Sequence, residues 1–256
     1  MEKHLRETDL VNFKNPEIQN LIKKRAWKNL DDFHKVEAIY DFVQNQILFG
    51  YNVGDDIPAS RVLTDGIGQC NTKATLLIAL LRGCGIPARH HAFLLDHQLQ
   101  KGVIPPSLYP IAPKEILHTW AEVYFEGNWY PLEGVILDIK YLISLQKLYL
   151  QKNNIRNPQK SIQYLGYGVG CVDFMHPPVK WEGNATYIQK EGIIQDLGVF
   201  DAPDDCYRRY AQKLSPIKAF IYKNLINKAM TKRVEKIRSY GSRSNGKLYC
   251  MSKNGK

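Results

Sequence analysis

At 256 residues with 44% hydrophobic content, the chain is long enough to bury one sizeable core with elaborations. Its longest unbroken apolar run, Leu76 to Leu81, is far short of the roughly 20 residues a membrane helix needs. The net charge of +10 is lopsided: from Tyr207 onward fourteen Lys or Arg stand against Glu235 alone, a charge of +13, which leaves −3 for residues 1–206.

Met1 to Leu10 mixes charged and polar residues with no apolar stretch of signal-peptide length, so a cytoplasmic protein with reduced thiols is expected. Asn15-Pro16-Glu17 reads as a helix start, because asparagine caps orphan amides, proline suits the first turn and glutamate complements the dipole. Ile18, Leu21 and Ile22 then recur at helical spacing. A second helix is predicted after Asp31-Asp32, with Val36, Ile39, Tyr40, Val43 and Ile47 on one side. Asp55 to Gly68 is loop-like and delivers the chain to Cys70.

From Thr72 to Arg82 the residues are strong helix formers, apolar on most sides, with Gly83 and Gly85 as the stop. Ile86-Pro87-Ala88-Arg89 opens a strand reaching Leu95, and a proline-rich loop follows. His118 to Phe125 reads as a strand, Glu126-Gly127-Asn128 as a tight turn and Trp129 to Leu132 as the returning strand. A helix is expected after Asp138, through Leu142, Leu145, Leu148 and Tyr149. Residues 153 to 205 show no sustained period and are expected to be irregular. Ser215-Pro216 starts a last, lysine-studded helix with Ile217, Phe220, Ile221, Leu225, Val234 and Ile237, and the polar residues after Ser239 are expected to be disordered. The domain division that follows is 1–150 for the core with its N-terminal helices, 151–206 for an extension packed on it, and 207–256 for a basic helical tail.

Cys70 stands where a loop becomes a helix, so unpaired backbone amides and the positive end of the helix dipole converge on it. Such a position favours the thiolate, which is the nucleophilic form. The same amides can hold the oxyanion formed when sulfur adds to a carbonyl. His118, at the start of a strand, can serve as general base, and Glu133 at the far end of the hairpin can orient its second ring nitrogen. Gln69 is a candidate additional oxyanion donor.

These residues belong to three ordered motifs: Asp65-Gly66-Ile67-Gly68-Gln69-Cys70 with Leu80 to Arg89 behind it, His118-Thr119-Trp120-Ala121-Glu122-Val123-Tyr124, and Trp129-Tyr130-Pro131-Leu132-Glu133. Together they resemble the transglutaminase-like superfamily, whose core shares its fold and catalytic geometry with papain-like cysteine peptidases. The resemblance runs from about Ile57 to Leu145. It implies an α+β fold with the nucleophile helix packed against an antiparallel sheet, flanked by N-terminal helices and a basic C-terminal helix. By the same resemblance Cys70 matches the nucleophile, His118 the histidine, and Glu133 the position usually taken by aspartate. Glutamate is one methylene longer, which leaves Asp138 as an alternative partner for the histidine. The paired C-x-x-C motifs of peptide N-glycanases and the dense acidic cluster of calcium-dependent tissue transglutaminases are missing from the sequence.

The expected chemistry is a thioester on Cys70, formed from a peptide or amide substrate and passed to water, or alternatively to an amine. No cofactor is called for. A catalytically silent binding module that kept the fold is the competing class. His90, His91 and His97 invite a metal reading, but adjacent strand residues face opposite sides and no fixed ligand set appears, so no metal site is assigned. Cys84 reads as packing, Trp120 and Trp129 as hairpin core, and Glu122 as a strand residue. The basic tail suits either a solvated face docked on its own domain or contact with an anionic membrane or nucleic acid. Oligomeric state is left open.

Overall fold

The computed structural model describes residues 1–107, 109–154, 168–170, 179–210 and 226–240. Three helices begin by one chemistry, a short polar side chain accepting a free amide of the first turn. Asn15 Oδ1 accepts from Glu17 N at 2.9 Å and starts α1 (Pro16–Lys24). Asp31 Oδ1 accepts from His34 N at 3.0 Å and starts α2 (Asp32–Asn45). Asp138 Oδ1 accepts from Tyr141 N at 2.8 Å and starts α5 (Ile139–Lys152). Ile18 and Ile22 of α1, and Val36, Ile39, Tyr40 and Val43 of α2, face the core.

That core is organised around α4 (Cys70–Gly83), which is buried from Asn71 to Gly83. On one side it meets α1, α2 and the short α3 (Ala59–Asp65); on the other it meets β3 (Ala88–Asp96) and β4 (Glu115–Phe125). The middle of this enclosed helix, Leu76 to Leu81, is apolar all round, and the polar side chains it buries, such as Lys73 and Arg82, find backbone acceptors. At its end Gly83 lets α1 come close: a Cβ there would stand 2.7 Å from Ile22 Cδ1.

β5 (Asn128–Pro131), β4, β3 and β6 (Ile193–Phe200) form one antiparallel sheet in that spatial order. The β4–β5 turn uses positive φ at Glu126 (46°) and Gly127 (85°), a geometry whose twist matches a two-residue hairpin. In the β3–β4 register, Phe93 pairs with His118, His91 with Trp120 and Arg89 with Glu122. A separate parallel pair, β1 (Leu48–Phe49) and β2 (Ile67–Gly68), leads into Cys70. The fold is α+β, with the nucleophile helix against an antiparallel sheet.

Two stretches differ from the sequence expectation. The loop-like region before Cys70 contains α3, whose seven residues bury Ala59 and Val62; two turns are too short to print a helical period. Within 153–205, expected to be irregular, β6 and the helix α6 (Pro203–Tyr210) are regular. β6 is the outer strand of the sheet and its pairing with β3 shifts between Ala92 and Phe93, which erases the alternation a strand would otherwise show. The remainder of that stretch, at 155–167 and 171–178, lies outside the described residues, as do Ser215-Pro216, Ile217, Phe220, Ile221, Leu225 and everything after residue 240.

The described part of the basic region is the end of α6, Tyr207 to Tyr210, and Ile226 with α7 (Asn227–Tyr240). α7 runs along α5 and buries Met230, Val234 and Ile237. Arg238 Nη2 meets Asp138 Oδ2 at 2.8 Å, with Asp138 only 1% exposed. No helix among the described residues is long and apolar enough to cross a membrane.

Candidate active site

Cys70 is the first residue of α4 and Gln69 is its N-cap. Gln69 N donates to Thr72 Oγ1 at 3.1 Å, which fixes the loop at the point of entry. The first-turn amides have no intrahelical acceptor, so the thiol occupies a place where backbone donors converge. Cys70 is only partly buried, whereas Cys84, at the other end of α4, is buried and its thiol is pushed up to about 11 by desolvation. Of the two cysteines on this helix, only Cys70 combines access with the helix dipole.

His118 and Glu133 are both 0% exposed, and His118 Nε2 lies 2.7 Å from Glu133 Oε1. Glu133 opens a single helical turn, Glu133–Ile136, directly after β5. Its other oxygen, Oε2, accepts from Ile188 N at 2.9 Å and Gln189 N at 3.1 Å. Its backbone N–H donates to Thr186 O at 3.1 Å. Both carboxyl oxygens are thus committed, one to the imidazole and one to backbone. Asp138, the alternative partner, is engaged elsewhere: its oxygens take Phe49 N, Tyr141 N and Arg238.

With Nε2 held by Glu133, the ring nitrogen left for the thiol is Nδ1. Among the described residues it closes no hydrogen bond, yet Cys70 is near enough to act on its protonation. Burial pushes the His118 imidazolium down, but the nearby Cys70 sulfur and the bonded Glu133 carboxylate outweigh it and raise its pKa to about 9. The Cys70 thiol donates instead to Asn71 Oδ1, with Sγ 3.3 Å from that oxygen. Trp120 stands edge-on to the His118 ring, with centroids 5.9 Å apart, and Phe93 closes the next side at 6.4 Å. These rings keep water from the imidazole.

Sequence reasoning missed Asn71. Its Oδ1 also accepts from Thr119 Oγ1 at 3.0 Å, and its Nδ2 donates to Leu117 O at 3.3 Å. The residue after the nucleophile therefore grips both residues that flank His118 and sets the spacing of helix and strand. Its place directly after Cys70 is its only mark in the sequence. Gln69, the oxyanion candidate, is 6% exposed; its Oε1 accepts from Asn52 N and its Nε2 donates to Asp55 Oδ1, each at 2.8 Å. Burial pushes the Asp55 carboxyl up against the opposing effect of that hydrogen bond.

The histidines considered for metal binding are dispersed. His90 is fully buried, with desolvation pushing it down to about 3. His91 bridges Glu122 and Asp196 at 2.7 and 2.9 Å, and His97 stacks on Tyr109. Among the described residues no group of three or more His, Cys, Asp or Glu side chains could hold a metal ion. Glu122 joins Arg89 as well as His91, and Trp129 packs under the Arg89 guanidinium at 4.1 Å, away from Cys70.

A partly buried cysteine at a helix tip and a buried, carboxylate-held histidine lie in one segment, and sequence comparison falls on it. Residues 20–134 match the transglutaminase-like superfamily. This transglutaminase-like segment holds Cys70, His118 and Glu133 but ends before Ile188 and Gln189. Among solved structures, a Cytophaga hutchinsonii chain named as a candidate cysteine protease is similar at 23% identity and a TM-score of 0.36. The alignment covers 50% of the present chain and 39% of that one. No curated protein matches.

Proposed function

We propose that the chain is a cysteine-dependent amidase or peptidase that forms a thioester on Cys70. The supporting observation is the His118 ring fixed by Glu133 on one nitrogen, with its other nitrogen left for the thiol. His118 takes the thiol proton, and Sγ adds to the substrate carbonyl while amides at the tip of α4, with Gln69 as a candidate helper, receive the developing oxyanion. The C–N bond then breaks and the imidazolium returns its proton to the leaving amine. In the second half His118 takes a proton from water, the hydroxide adds to the thioester carbonyl, and the C–S bond breaks to release a carboxylic acid and restore the thiol. An incoming amine in place of water would give transglutaminase-type transfer. Hydrolysis is preferred, and the thioester is common to both.

The test is alkylation by iodoacetamide near neutral pH, read by mass spectrometry at Cys70. The expected result is labelling well ahead of free cysteine and ahead of Cys84. Labelling no faster than free cysteine refutes the activated thiol and leaves a silent binding module. A Cys70→Ala chain that still cleaves an identified substrate would equally remove the nucleophile assignment.

A further inference from the structure

The peptides of residues 48–52, which run beside the turn before Cys70, are held from two sides. On one side they meet the turn that leads to Cys70: Leu48 N donates to Gly66 O at 3.0 Å and Gly50 N to Gly68 O at 3.1 Å. Asn52 is the hub of this contact. Its backbone N–H donates to Gln69 Oε1 at 2.8 Å, its Oδ1 accepts from Thr72 Oγ1 at 2.7 Å, and its Nδ2 donates to Ile67 O at 3.1 Å. Gln69 precedes the nucleophile and Thr72 follows it by two positions, so Asn52 fixes both ends of the turn that presents the thiol.

On the other side stands α7. Asn227 Nδ2 donates to Tyr51 O at 3.0 Å and also to Asn52 O. Thr231 Oγ1 accepts from Tyr51 N at 3.4 Å, and Arg238 Nη2 donates to Phe49 O. Asn227, Thr231 and Arg238 recur at i, i+4 and i+11, on one face of the helix. Asn227 is 8% exposed and Asn52 is 3% exposed, so these carbonyls have little access to water and depend on protein donors. The matched family segment stops at residue 134, so this support comes from a part of the chain outside it.

We infer that α7 is a positioning element of the active site, and that Asn227 is the residue through which it sets the place of Cys70. Asn227 touches neither sulfur nor substrate; it holds the Asn52 carbonyl, Asn52 holds Gln69 and Thr72, and those residues set the helix tip. The inference rests on the thiol chemistry proposed above. It also gives the basic region a task that its charge does not suggest: the lysines face outward while the face without them supports the nucleophile.

The experiment compares iodoacetamide alkylation of Cys70 across pH 5 to 10 in the full-length protein, in Asn227→Ala and in Lys232→Ala, with unfolding followed in urea for each. The expected result is that Asn227→Ala slows alkylation at neutral pH by about tenfold or more, because loss of a buried hydrogen bond relaxes the turn and misplacement of about 1 Å is costly at a reacting atom. Its pH profile should move toward that of a free thiol, whereas Lys232→Ala, on the outer face, keeps the wild-type profile. A folded Asn227→Ala protein with wild-type rate and profile, differing only in urea midpoint, overturns the inference and makes the contact purely structural. If Asn227→Ala does not fold, Thr231→Val removes one hydroxyl from the same contact at nearly constant volume and is read by the same criteria. Slow alkylation of the wild-type protein itself would instead defeat the proposed thiol chemistry, so the two failures are distinct.

Discussion

Glu133→Gln isolates the carboxyl group that holds the imidazole. The native side chain accepts three hydrogen bonds, one from His118 on Oε1 and two from Ile188 N and Gln189 N on Oε2. Glutamine has one acceptor oxygen and one donor nitrogen at nearly the same volume. If its nitrogen faces the two backbone amides, donor meets donor at a site with 0% exposure, and two unsatisfied amides cost about 1–3 kcal/mol each. If its nitrogen faces His118, only one bond is at stake, but Nε2 must then accept, which puts the ring proton on Nδ1 and blocks that nitrogen as a base toward Cys70. The second orientation is the cheaper one, so the expected variant is folded, less stable by about 1–3 kcal/mol, and catalytically poor. Loss of a correctly protonated general base costs on the order of 100-fold or more. The assays are urea unfolding, which reads the first number, and the pH profile of Cys70 alkylation, which reads the second. The partners that hold His118 at about 9 include this carboxylate, so the high-pH limb of the profile should also move down. A variant alkylated at the wild-type rate with an unmoved profile would refute the role assigned to Glu133.

Other substitutions test separate parts of the structure. Lys73, one turn after Cys70, is 0% exposed with Nζ donating to Gln44 O at 3.1 Å, and burial brings it down to about 7 from 10.5. Keeping it charged costs on the order of 5 kcal/mol below pH 7, so Lys73→Met should be more stable there by several kcal/mol, as urea unfolding would show. Between pH 7 and 10.5 the unfolded chain holds the Lys73 proton more often, so this contribution makes stability rise with pH; between 6.5 and about 9 the folded chain holds the His118 proton more often, so that one makes it fall. The two oppose each other from pH 7 to 9, and Lys73→Met should expose the fall, about 3 kcal/mol across the His118 window; a variant as flat as the wild type would contradict it. For catalysis, turnover should decline above about pH 9 as His118 loses the proton it gives to the leaving amine; constant turnover to pH 10 would exclude His118 as the acid. Finally, Lys228, Lys232 and Lys236 are exposed at i, i+4 and i+8 on α7, and we propose them as the contact for an anionic surface. Reversing all three to Glu should weaken binding to acidic phospholipid vesicles or to duplex DNA at low salt by about 100-fold, and undiminished binding to both would remove that proposal.

The features legible in the sequence were those made by short-range rules. The caps at Asn15, Asp31 and Asp138 are local side-chain chemistry. α4 announces itself by its apolar run from Leu76 to Leu81, and the β4–β5 hairpin because Glu126-Gly127 can adopt positive φ. Cys70 could be nominated from its place at the start of α4, and His118 as the strand histidine of its motif, although the strand begins three residues earlier, at Glu115. The rest of the site is made by contacts between distant residues. Asn71 meets residues on β4, and the Glu133 oxygen away from the imidazole is satisfied by main-chain amides, which any residue type except proline could supply. The apolar positions Val234 and Ile237 of α7 could be read as a docking face, but the three polar residues aimed at the 49–52 segment could not, since their partners are mostly backbone carbonyls and amides.

The two amides on Glu133 Oε2 lie 55 and 56 residues further along the chain. During synthesis the sulfur and the ring can be brought together well before the carboxyl group that orients the ring has its full set of donors. On the chemistry proposed above, the thiol would reach full activity only once residues 188 and 189 had been made and had folded back onto Glu133.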